Sequence, residues 1–344
     1  MVERDLKAIV KRVIQFTLKM KVERDFWRKA SAISGVLASG SDDDISVVQG
    51  WLERAIETQR SDGSLNYGEI EDYGTGHSSI LTQTGTLSAS LGYPLLQFYD
   101  RTKDESYLEA AGRQVEAVMN APRSREGGFY ARMEGPELWI DWLYMICPFL
   151  AKYGKITGQT KYIDEAFLQF EVHVKRLVDP YEHLARHAWL EVPNSFPQST
   201  FWARGNGWFM AAAMQLNEIA SDHPKCAAAV EAAVRTMTVI AGLQDRSGYL
   251  HHILDDPYSK FESSASLMFA YSLARAVQQG LMDDAFLENA VRAVKVVSGE
   301  VDEEGGVQGT AVPPGGPGVP FATAPYGQGF FLLATDALSE ELGL

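Results

Sequence analysis

Apolar residues recur along most of this chain at the spacing of an α-helix, and this periodicity restricts the possible folds more than any other feature. One buried helix face is visible near the start, formed by Leu6, Ile9, Val10, Val13, Ile14 and Leu18. Similar stripes run through 47–56, 143–153, 162–177, 208–219, 227–243, 266–277 and 286–297. Strand-like patterns are limited to apolar pieces of two or three residues beside glycines. The sequence therefore predicts an all-α fold.

Two series of motifs repeat along the chain and indicate stacked helical hairpins. In the first series, Thr102 and Tyr107 match Thr157 and Tyr162, each pair being 55 residues apart. A weaker copy of this motif occurs at 280–286, where Phe286 lies in a similar place. The second series consists of glycine turns followed by an apolar residue, at 62–65, 127–130, 247–250 and 305–307. Repeats of this size are typical of supersecondary units that stack on one another.

About six helix–turn–helix units would fill the 344 residues, and periodicity alone is compatible with an open solenoid or a closed toroid. The turns at one end of the units are long and rich in aromatic residues and glycine, so we expect the functional site at that end. The segment 313–318 is too rich in proline and glycine for a helix and is interpreted as a loop over the same end. Because no linker divides the sequence, we predict a single domain over residues 1–344.

Charge and composition exclude several classes of function. A formal net charge of −14 leaves no basic stripe for a nucleic acid, and an anionic substrate must therefore be attracted by local cations. No run approaches the roughly 20 apolar residues of a membrane-spanning helix, and no secretory signal is visible. Cys147 and Cys226 lie in apolar or alanine-rich runs, which favours buried thiols over a disulfide. We expect a cytoplasmic protein with neither a nucleic-acid nor a membrane partner, and its oligomeric state stays open.

The stretch 201–208, Phe-Trp-Ala-Arg-Gly-Asn-Gly-Trp, places a cation and an amide between two tryptophans. An indole face can stack on a sugar ring, and the planar guanidinium of Arg204 can hold a carboxylate through two parallel hydrogen bonds. The alternative is that the tryptophans are core residues. Trp208, which leads into an apolar helical run, fits that alternative better than Trp202 does. The motif indicates a pocket for an acidic sugar, with Trp202 as its platform.

Asp141 precedes an almost wholly apolar helical run and allows two interpretations. As an N-cap it would accept hydrogen bonds from backbone N–H groups, which lower the pKa of a carboxyl group. Packed between Trp139 and Trp142, it would lose hydration, which raises that pKa toward the range that a general acid needs. The two interpretations therefore make opposite predictions about acidity.

His187 lies just before a polar turn and is either a structural hydrogen-bonding group or part of a site. Together with His183 it has the i, i+4 spacing of zinc-binding helices. The residues between them lack the glutamate of metalloproteases, however, and the sequence offers no evident third ligand. We expect no metal site and no organic cofactor.

Several motifs together resemble the unsaturated glucuronyl and rhamnogalacturonyl hydrolases. The resemblance runs in order from about residue 94 to the C terminus, through Trp139-x-Asp141, His187-Ala188-Trp189, 202–208, 262–266 and 326–334. The Arg-Gly-Asn-Gly-Trp core is more similar to the rhamnogalacturonyl branch, glycoside hydrolase family 105, than to the glucuronyl relatives of family 88. The resemblance implies an (α/α)6 barrel, which is the closed toroid of the two possible arrangements.

The resemblance also implies a reaction and a set of site residues. Substrates of these enzymes end in the 4,5-unsaturated uronic acid that polysaccharide lyases leave. Asp141 would protonate C4 of the vinyl ether and then help water to add at C5, and the resulting hemiketal would release the sugar. Trp139 and Trp202 would stack on the ring, while Arg204 and His187 would bind its polar groups or its carboxylate.

One part of the chain departs from the family pattern. The family usually has a second acid ahead of the helix that here begins near Gly92, but no Asp or Glu occurs from Tyr73 through Tyr99. Either Gln83 or a threonine takes that place, or an acid from the loop 69–72 does. We predict Gln83 as the substrate-binding residue there.

The sequence therefore predicts a hydrolase that releases the terminal 4,5-unsaturated uronic acid from lyase-generated oligosaccharides without a cofactor. One alternative is an inverting glycosidase or a sugar epimerase on the same barrel, which would need a second acid/base group such as His187, Asp72 or Glu262. The other alternative is a carbohydrate-binding protein without catalysis.

Overall fold

The computed structural model describes residues 5–20, 26–65, 85–131, 137–312 and 319–344. Helices dominate these ranges: α1 (Leu6–Lys19), α2 (Phe26–Ser39), α3 (Asp42–Glu57), α4 (Gly85–Ser88), α5 (Gly92–Thr102), α6 (Glu105–Met119), α7 (Trp142–Thr157), α8 (Thr160–Leu177), α9 (Ala203–Ala220), α10 (Cys226–Leu243), α11 (Ser263–Gln278), α12 (Leu287–Gly299), α13 (Pro325–Ala337) and α14 (Ser339–Leu342). Short 3₁₀ turns cover Ala89–Leu91 and Asp284–Phe286. The predicted helical stripes all fall on helices, so the all-α prediction is confirmed.

The described strands are short and pair only locally. They are β1 (Glu137–Trp139), β2 (Ala188–Leu190), β3 (Ser195–Gln198), β4 (Leu250–His251), β5 (Phe261–Glu262), β6 (Thr310–Ala311) and β7 (Phe321–Ala322). They form an antiparallel three-stranded sheet in the order β1-β2-β3 and the two-stranded ribbons β4-β5 and β6-β7. The strands all lie in connections between helices.

The chain forms two compact units. One consists of Met1–Gly50 with Met237–Leu344, and the other of Trp51–Thr236. The sheet β1-β2-β3 and helices α7, α8 and α9 lie in the second unit. The single domain over residues 1–344 stays a prediction. The proposed loop 313–318 and Gln83 lie outside the described residues.

Helices buried on nearly every face alternate along the chain with helices that bury one face. In the second unit, α7 and α9 are buried almost throughout, whereas α6 and α8 keep polar, exposed flanks. In the first unit, α11 and α13 are buried almost throughout, and α12 buries one stripe. This alternation is expected of helices packed in two layers, since only an inner helix lacks a solvent-facing side.

The predicted glycine turns share one backbone conformation. Residues that carry a Cβ rarely adopt the positive φ angles found here, which are +90° at Gly63, +93° at Gly127, +105° at Gly248 and +103° at Gly305. A Cβ on Gly63 would lie 2.2 Å from the carbonyl oxygen of Arg113, so the turn rests directly on the backbone of α6. Glycine is therefore required at Gly63 for close approach as well as for conformation.

Buried glutamine side chains hold these turns in place. Gln169 accepts a hydrogen bond from the N–H of Phe129 (2.8 Å) and donates one to the carbonyl of Gly127 (2.9 Å). In the other unit, Gln328 accepts from the N–H of Val307 (2.6 Å) and donates to the carbonyl of Gly305 (3.0 Å). One amide thus satisfies both backbone groups of a turn, and the repeat seen in the sequence is a repeated local structure.

The first series of motifs is also a structural repeat. Thr102 and Thr157 each bond back to a carbonyl one turn earlier, at 2.8 Å, where their helices end. Tyr107 and Tyr162 each start the following helix and donate to a glutamate of another helix, at 3.3 and 3.1 Å. The matched residues therefore mark equivalent helix–helix corners.

Helix α10 is the described helix whose length and mean hydropathy of 1.5 would suffice to cross a membrane. This criterion uses length and composition only, and core helices of soluble proteins also meet it.

Acid should destabilise the fold through His173, which is fully buried on α8. Its Nδ1 donates to the carbonyl of Gln169 at 2.8 Å, and no described residue bonds to its Nε2. Burial lowers the pKa of His173 from 6.5 to about 4. At pH values between 4 and 6.5 the unfolded chain therefore binds a proton at this residue more readily than the folded chain does. We expect the free energy of unfolding to fall by about 3 kcal/mol between pH 7 and pH 4 through this group.

Urea unfolding at a series of pH values would measure this effect. His173→Phe keeps an aromatic ring and removes the titrating group, so its unfolding free energy should depend less steeply on pH between 6.5 and 4. Equal pH dependence in the two proteins would contradict the assignment.

Candidate active site

Asp141 sits at the junction where β1 ends and α7 begins. It occupies the residue before the helix with helical backbone angles (φ −56°, ψ −31°), and its side chain makes no capping hydrogen bond. The first N–H groups of the helix are bonded to backbone instead, as shown by Tyr144, which donates to the carbonyl of Asp141 at 3.1 Å. The carboxyl group is therefore free of the capping role that its position suggests.

Antiparallel pairing between β1 and β2 brings His187 to Asp141. Trp139 pairs with Ala188, and the N–H of Ile140 donates to the carbonyl of His187 at 3.0 Å. This pairing brings the side chains of His187 and Asp141 together, with His187 Nε2 3.2 Å from Asp141 Oδ2. Each of the two side chains is 13% exposed. The pair is thus shielded from solvent yet reachable.

Two aromatic rings flank the imidazole. The ring centre of Trp139 lies 5.3 Å from that of His187, and the ring centre of Trp202 lies 4.8 Å from it, in an edge-on arrangement. Trp139 also contacts Trp142 edge-on at 5.3 Å. The structure therefore brings together four of the residues that the sequence predicted separately, which are Trp139, Asp141, His187 and Trp202.

The pKa of His187 reflects opposing effects. Burial, the largest single effect, lowers its pKa, but the charge of Asp141 and hydrogen bonds to Asp141 and Gln198 outweigh it, so the net pKa is raised. The cation of Arg204 opposes that rise. Arg204 is therefore electrostatically coupled to the pair, as the predicted site requires.

Arg204 and Trp202 are fixed relative to each other at the start of α9. The guanidinium carbon lies 4.4 Å from the centre of the Trp202 ring, within the range of a cation–π contact. Arg204 is 2% exposed. A Cβ on Gly205 would lie 2.9 Å from the Trp202 ring and 2.9 Å from the side chain of Ile140. Glycine at 205 is what allows the indole to lie against this turn.

The remaining residues of the motif are structural. Asn206 accepts from the N–H of Ala185 at 2.7 Å and donates to the carbonyl of the same residue at 2.9 Å. It thereby ties α9 to the segment that leads into His187. Trp208 is 1% exposed and packs against Tyr144, with ring centres 4.8 Å apart. The prediction that Trp208 is a core residue is confirmed.

Several buried polar atoms at the site have no hydrogen-bond partner among the described residues. They are the indole nitrogens of Trp142 and Trp202 and, apart from its contact with His187, the Oδ2 atom of Asp141. Leaving a buried polar group without a partner costs about 1–3 kcal/mol. Such groups are accordingly rare in cores and mark places where a polar ligand gains hydrogen bonds.

Two residues at the site had no role in the sequence analysis. Glu137, on β1, accepts a hydrogen bond from the indole of Trp139 at 2.8 Å and is buried. Gln198, on β3, bonds through Oε1 to Nδ1 of His187. The Glu-x-Trp spacing on a strand was the available signal for Glu137, since alternate residues share a face.

Of the other candidate acids, Asp72 lies outside the described residues and Glu262 belongs to the first unit. Glu262 is fully buried and caps α11, accepting from the hydroxyl of Ser264 (2.7 Å) and the N–H of Ala311 (2.9 Å). Its carboxylate is occupied by local structure. His183 lies in a turn rather than on a helix, with a φ of 55°. Within the described parts of the chain, no group of three or more His, Cys, Asp or Glu side chains is placed to hold a metal ion.

Known proteins similar to this chain show its family. Residues 20–339 match the model of Glycosyl Hydrolase Family 88. The chain is 28% identical to the unsaturated rhamnogalacturonyl hydrolase YesR of Bacillus subtilis over 329 residues, covering 90% of this chain and 87% of that protein. It is 30% identical to an unsaturated 3S-rhamnoglycuronyl hydrolase of Formosa agariphila over 277 residues, covering 74% and 72%.

The fold is shared with solved structures. A possible member of the GH105 family from Salmonella enterica serovar Paratyphi A superposes with a TM-score of 0.85 at 22% identity, covering 99% of this chain and 95% of that one. The all-α (α/α)6-barrel fold class predicted from the sequence is thereby confirmed. The chain belongs to glycosyl hydrolase family 88 and is a glycoside hydrolase.

Proposed function

We propose that this enzyme removes a terminal 4,5-unsaturated uronic acid from lyase-generated oligosaccharides, in the manner of the rhamnogalacturonyl branch. The observation that carries the proposal is the shielded Asp141–His187 contact, flanked by Trp139 and Trp202 and coupled to Arg204. The names of the two curated relatives, each an unsaturated uronyl-type hydrolase, support it.

The partner of Asp141 favours hydration of a double bond over ordinary glycoside hydrolysis. Ordinary glycosidases flank the scissile bond with two carboxyl groups. Among the described residues, the ionisable group that contacts Asp141 is the imidazole of His187. A vinyl ether needs one group that first donates a proton and then accepts one, which a single carboxyl group beside an imidazole can do.

The reaction would proceed through protonation at C4. The π electrons of the C4–C5 double bond take the proton of Asp141, and positive charge develops at C5 beside the ring oxygen. Water then bonds to C5 and returns a proton to Asp141. The hemiketal opens to a ketone at C5, and C1, now a hemiacetal, expels the remaining sugar as an alcohol. The carboxyl group ends in the state in which it began.

Binding of the uronic acid would rest on Arg204 and the two indoles. A protein with a net charge of −14 needs a local cation for an anionic sugar, and the buried guanidinium supplies one. Trp202 and Trp139 would pack on the sugar ring. The indole N–H of Trp202, which has no hydrogen-bond partner among the described residues, would donate to an oxygen of the sugar. Gln83 as the replacement for the family's second acid remains a prediction.

We propose a cytoplasmic location and no cofactor. Cys147 and Cys226 are both free and buried, and burial raises the pKa of each thiol. Such thiols are unreactive and fit a reducing compartment.

Replacing Asp141 by asparagine should abolish turnover because the amide cannot donate the proton. We expect kcat on an unsaturated rhamnogalacturonan disaccharide to fall by about 10²–10⁴-fold or more. The measurement is the loss of the double-bond ultraviolet absorbance, with urea unfolding to show that the variant is folded.

Asp164 provides a matched control. It also contacts a histidine, with His223 Nε2 3.1 Å from its Oδ1, but its side chain is 68% exposed. Asp164→Asn should keep wild-type activity. Turnover by a folded Asp141→Asn variant, or activity of the wild type on saturated glycosides alone, would rule out the proposed reaction.

Arg204→Lys should weaken recognition of the substrate carboxylate. Lysine keeps the charge but cannot make two parallel hydrogen bonds. The loss of one charged hydrogen bond corresponds to about a ten- to hundredfold loss in kcat/KM, carried mainly by KM.

A substrate whose carboxylate is methyl-esterified tests the same contact from the other side. The wild type should prefer the free acid, and the variant should have lost most of this preference. An unchanged preference in Arg204→Lys would show that another group binds the carboxylate.

A further inference from the structure

Gln198 contacts the ring nitrogen of His187 that lies opposite the one facing Asp141. Its Oε1 contacts Nδ1 of the imidazole, while Nε2 lies 3.2 Å from Asp141 Oδ2. Gln198 ends β3, whose residues are all exposed, so it is not there to fill a core. Its role must be sought in what it does to the imidazole.

The connection between β2 and β3 is anchored firmly enough to place Gln198. The indole of Trp189 donates to the side chain of Asn194 at 2.8 Å, across the turn. Glu191 accepts from the hydroxyl of Tyr130 at 2.8 Å and from the N–H of Arg125 at 2.9 Å. β3 is thus fixed to β2 and to the preceding loop.

The acceptor character of Oε1 determines which ring nitrogen carries hydrogen. A carbonyl oxygen only accepts, so Nδ1 of His187 must be the donor. In the neutral ring, Nε2 then presents a lone pair to Asp141, and the contact is favourable only if the carboxyl group is protonated. In the charged ring, Nε2 donates to the carboxylate. Both favourable states contain one proton between Oδ2 and Nε2.

The ring has little freedom to escape this arrangement. Trp139 and Trp202 flank it, and the carbonyl of His187 is bonded to the N–H of Ile140. The state in which no proton lies between the two groups combines an ionised Asp141 with a neutral ring. In that state the lone pair of Nε2 faces the carboxylate, which is unfavourable. Without Gln198, the neutral ring could move its hydrogen to Nε2 and satisfy the carboxylate with no exchangeable proton in the pair.

We propose that Gln198 is a positioning residue that fixes the Nδ1–H form of His187, so that the favourable states of the Asp141–His187 pair hold the proton that is delivered to C4. In each cycle the O–H bond of Asp141 breaks as the C4–H bond forms, and the water that adds at C5 returns its proton to the pair. The use of that proton rests on the proposed function, whereas the loading of the pair is a property of the free protein.

The electrostatics of the pair agree with this role. The pKa of His187 is raised above 6.5, against the effect of burial, by Asp141 and by the hydrogen bond with Gln198. Of the neighbouring charges, Arg204 on α9 opposes the rise, and Glu137 on β1 is bonded to the indole of Trp139. A raised pKa means that the pair keeps its proton to a higher pH.

Nitrogen NMR of the free enzyme, labelled with ¹⁵N-histidine, tests the loading directly. Two variants act in opposite directions: Gln198→Leu removes the acceptor, and Gln198→Glu makes it anionic. In the wild type above the titration midpoint, Nδ1 should show the shift of a protonated nitrogen. Gln198→Leu should move hydrogen to Nε2 and lower the midpoint by about half to one pH unit. Gln198→Glu should raise it by at least as much.

Activity gives an independent reading of the same change. The alkaline limb of kcat/KM against pH should move down in Gln198→Leu and up in Gln198→Glu, while KM changes little. Ser195→Ala, on the same exposed strand, should leave both the nitrogen shifts and the pH profile unchanged.

Two results would overturn the proposal. One is a neutral His187 in the wild type with its hydrogen on Nε2. The other is a Gln198→Leu variant in which KM rises but the midpoint and the pH profile stay fixed, since Gln198 would then be a substrate contact. An enzyme with the expected nitrogen shifts but without activity on unsaturated oligosaccharides would contradict the proposed function alone.

Discussion

The site depends on the antiparallel pairing of two three-residue strands. β1 and β2 are far apart in the chain, and their register sets Trp139 opposite Ala188 and bonds Ile140 to His187. A shift of one residue would turn every side chain to the other face. His187 and Asp141 would then point apart, and the 3.2 Å contact between them would be lost. The helices support the site, but the pairing of β1 with β2 is what places the imidazole of His187 against the carboxyl group of Asp141.

The Arg-Gly-Asn-Gly-Trp motif shows how a frame and a site share one stretch of sequence. Asn206 binds the backbone ahead of His187, Gly205 leaves room for the Trp202 indole, and Trp208 fills the core. Arg204 is the member of the motif whose charge reaches the Asp141–His187 pair. In three dimensions, the structural contacts of Gly205, Asn206 and Trp208 hold Arg204 and Trp202, the two members of the motif to which we assign substrate binding, in place.

Helical periodicity and the glycine turns were enough to predict the all-α fold class. Chemical type drew attention to Asp141, His187 and Arg204, and the family resemblance implied the roles of the candidate site residues. The Asp141–His187 contact could not be predicted from pattern, because strands of three residues are too short to show alternation. Local propensity also suggested a cap at Asp141, whereas its side chain makes no capping bond. Gln198 was missed because a polar residue on an exposed strand looks like ordinary surface until its imidazole partner is known.

Arg204 has two electrostatic effects that act in opposite directions before substrate binds. On the proposed function it attracts an anionic sugar toward a protein of net charge −14, and it lowers the proton affinity of His187. On the proposed function, a substrate carboxylate bound to the guanidinium would offset its positive charge. The opposition to the proton on the Asp141–His187 pair would then weaken at the moment when C4 of the sugar is in place. Binding of the acidic substrate would itself favour the loaded pair, so that recognition and proton supply are linked through one buried cation.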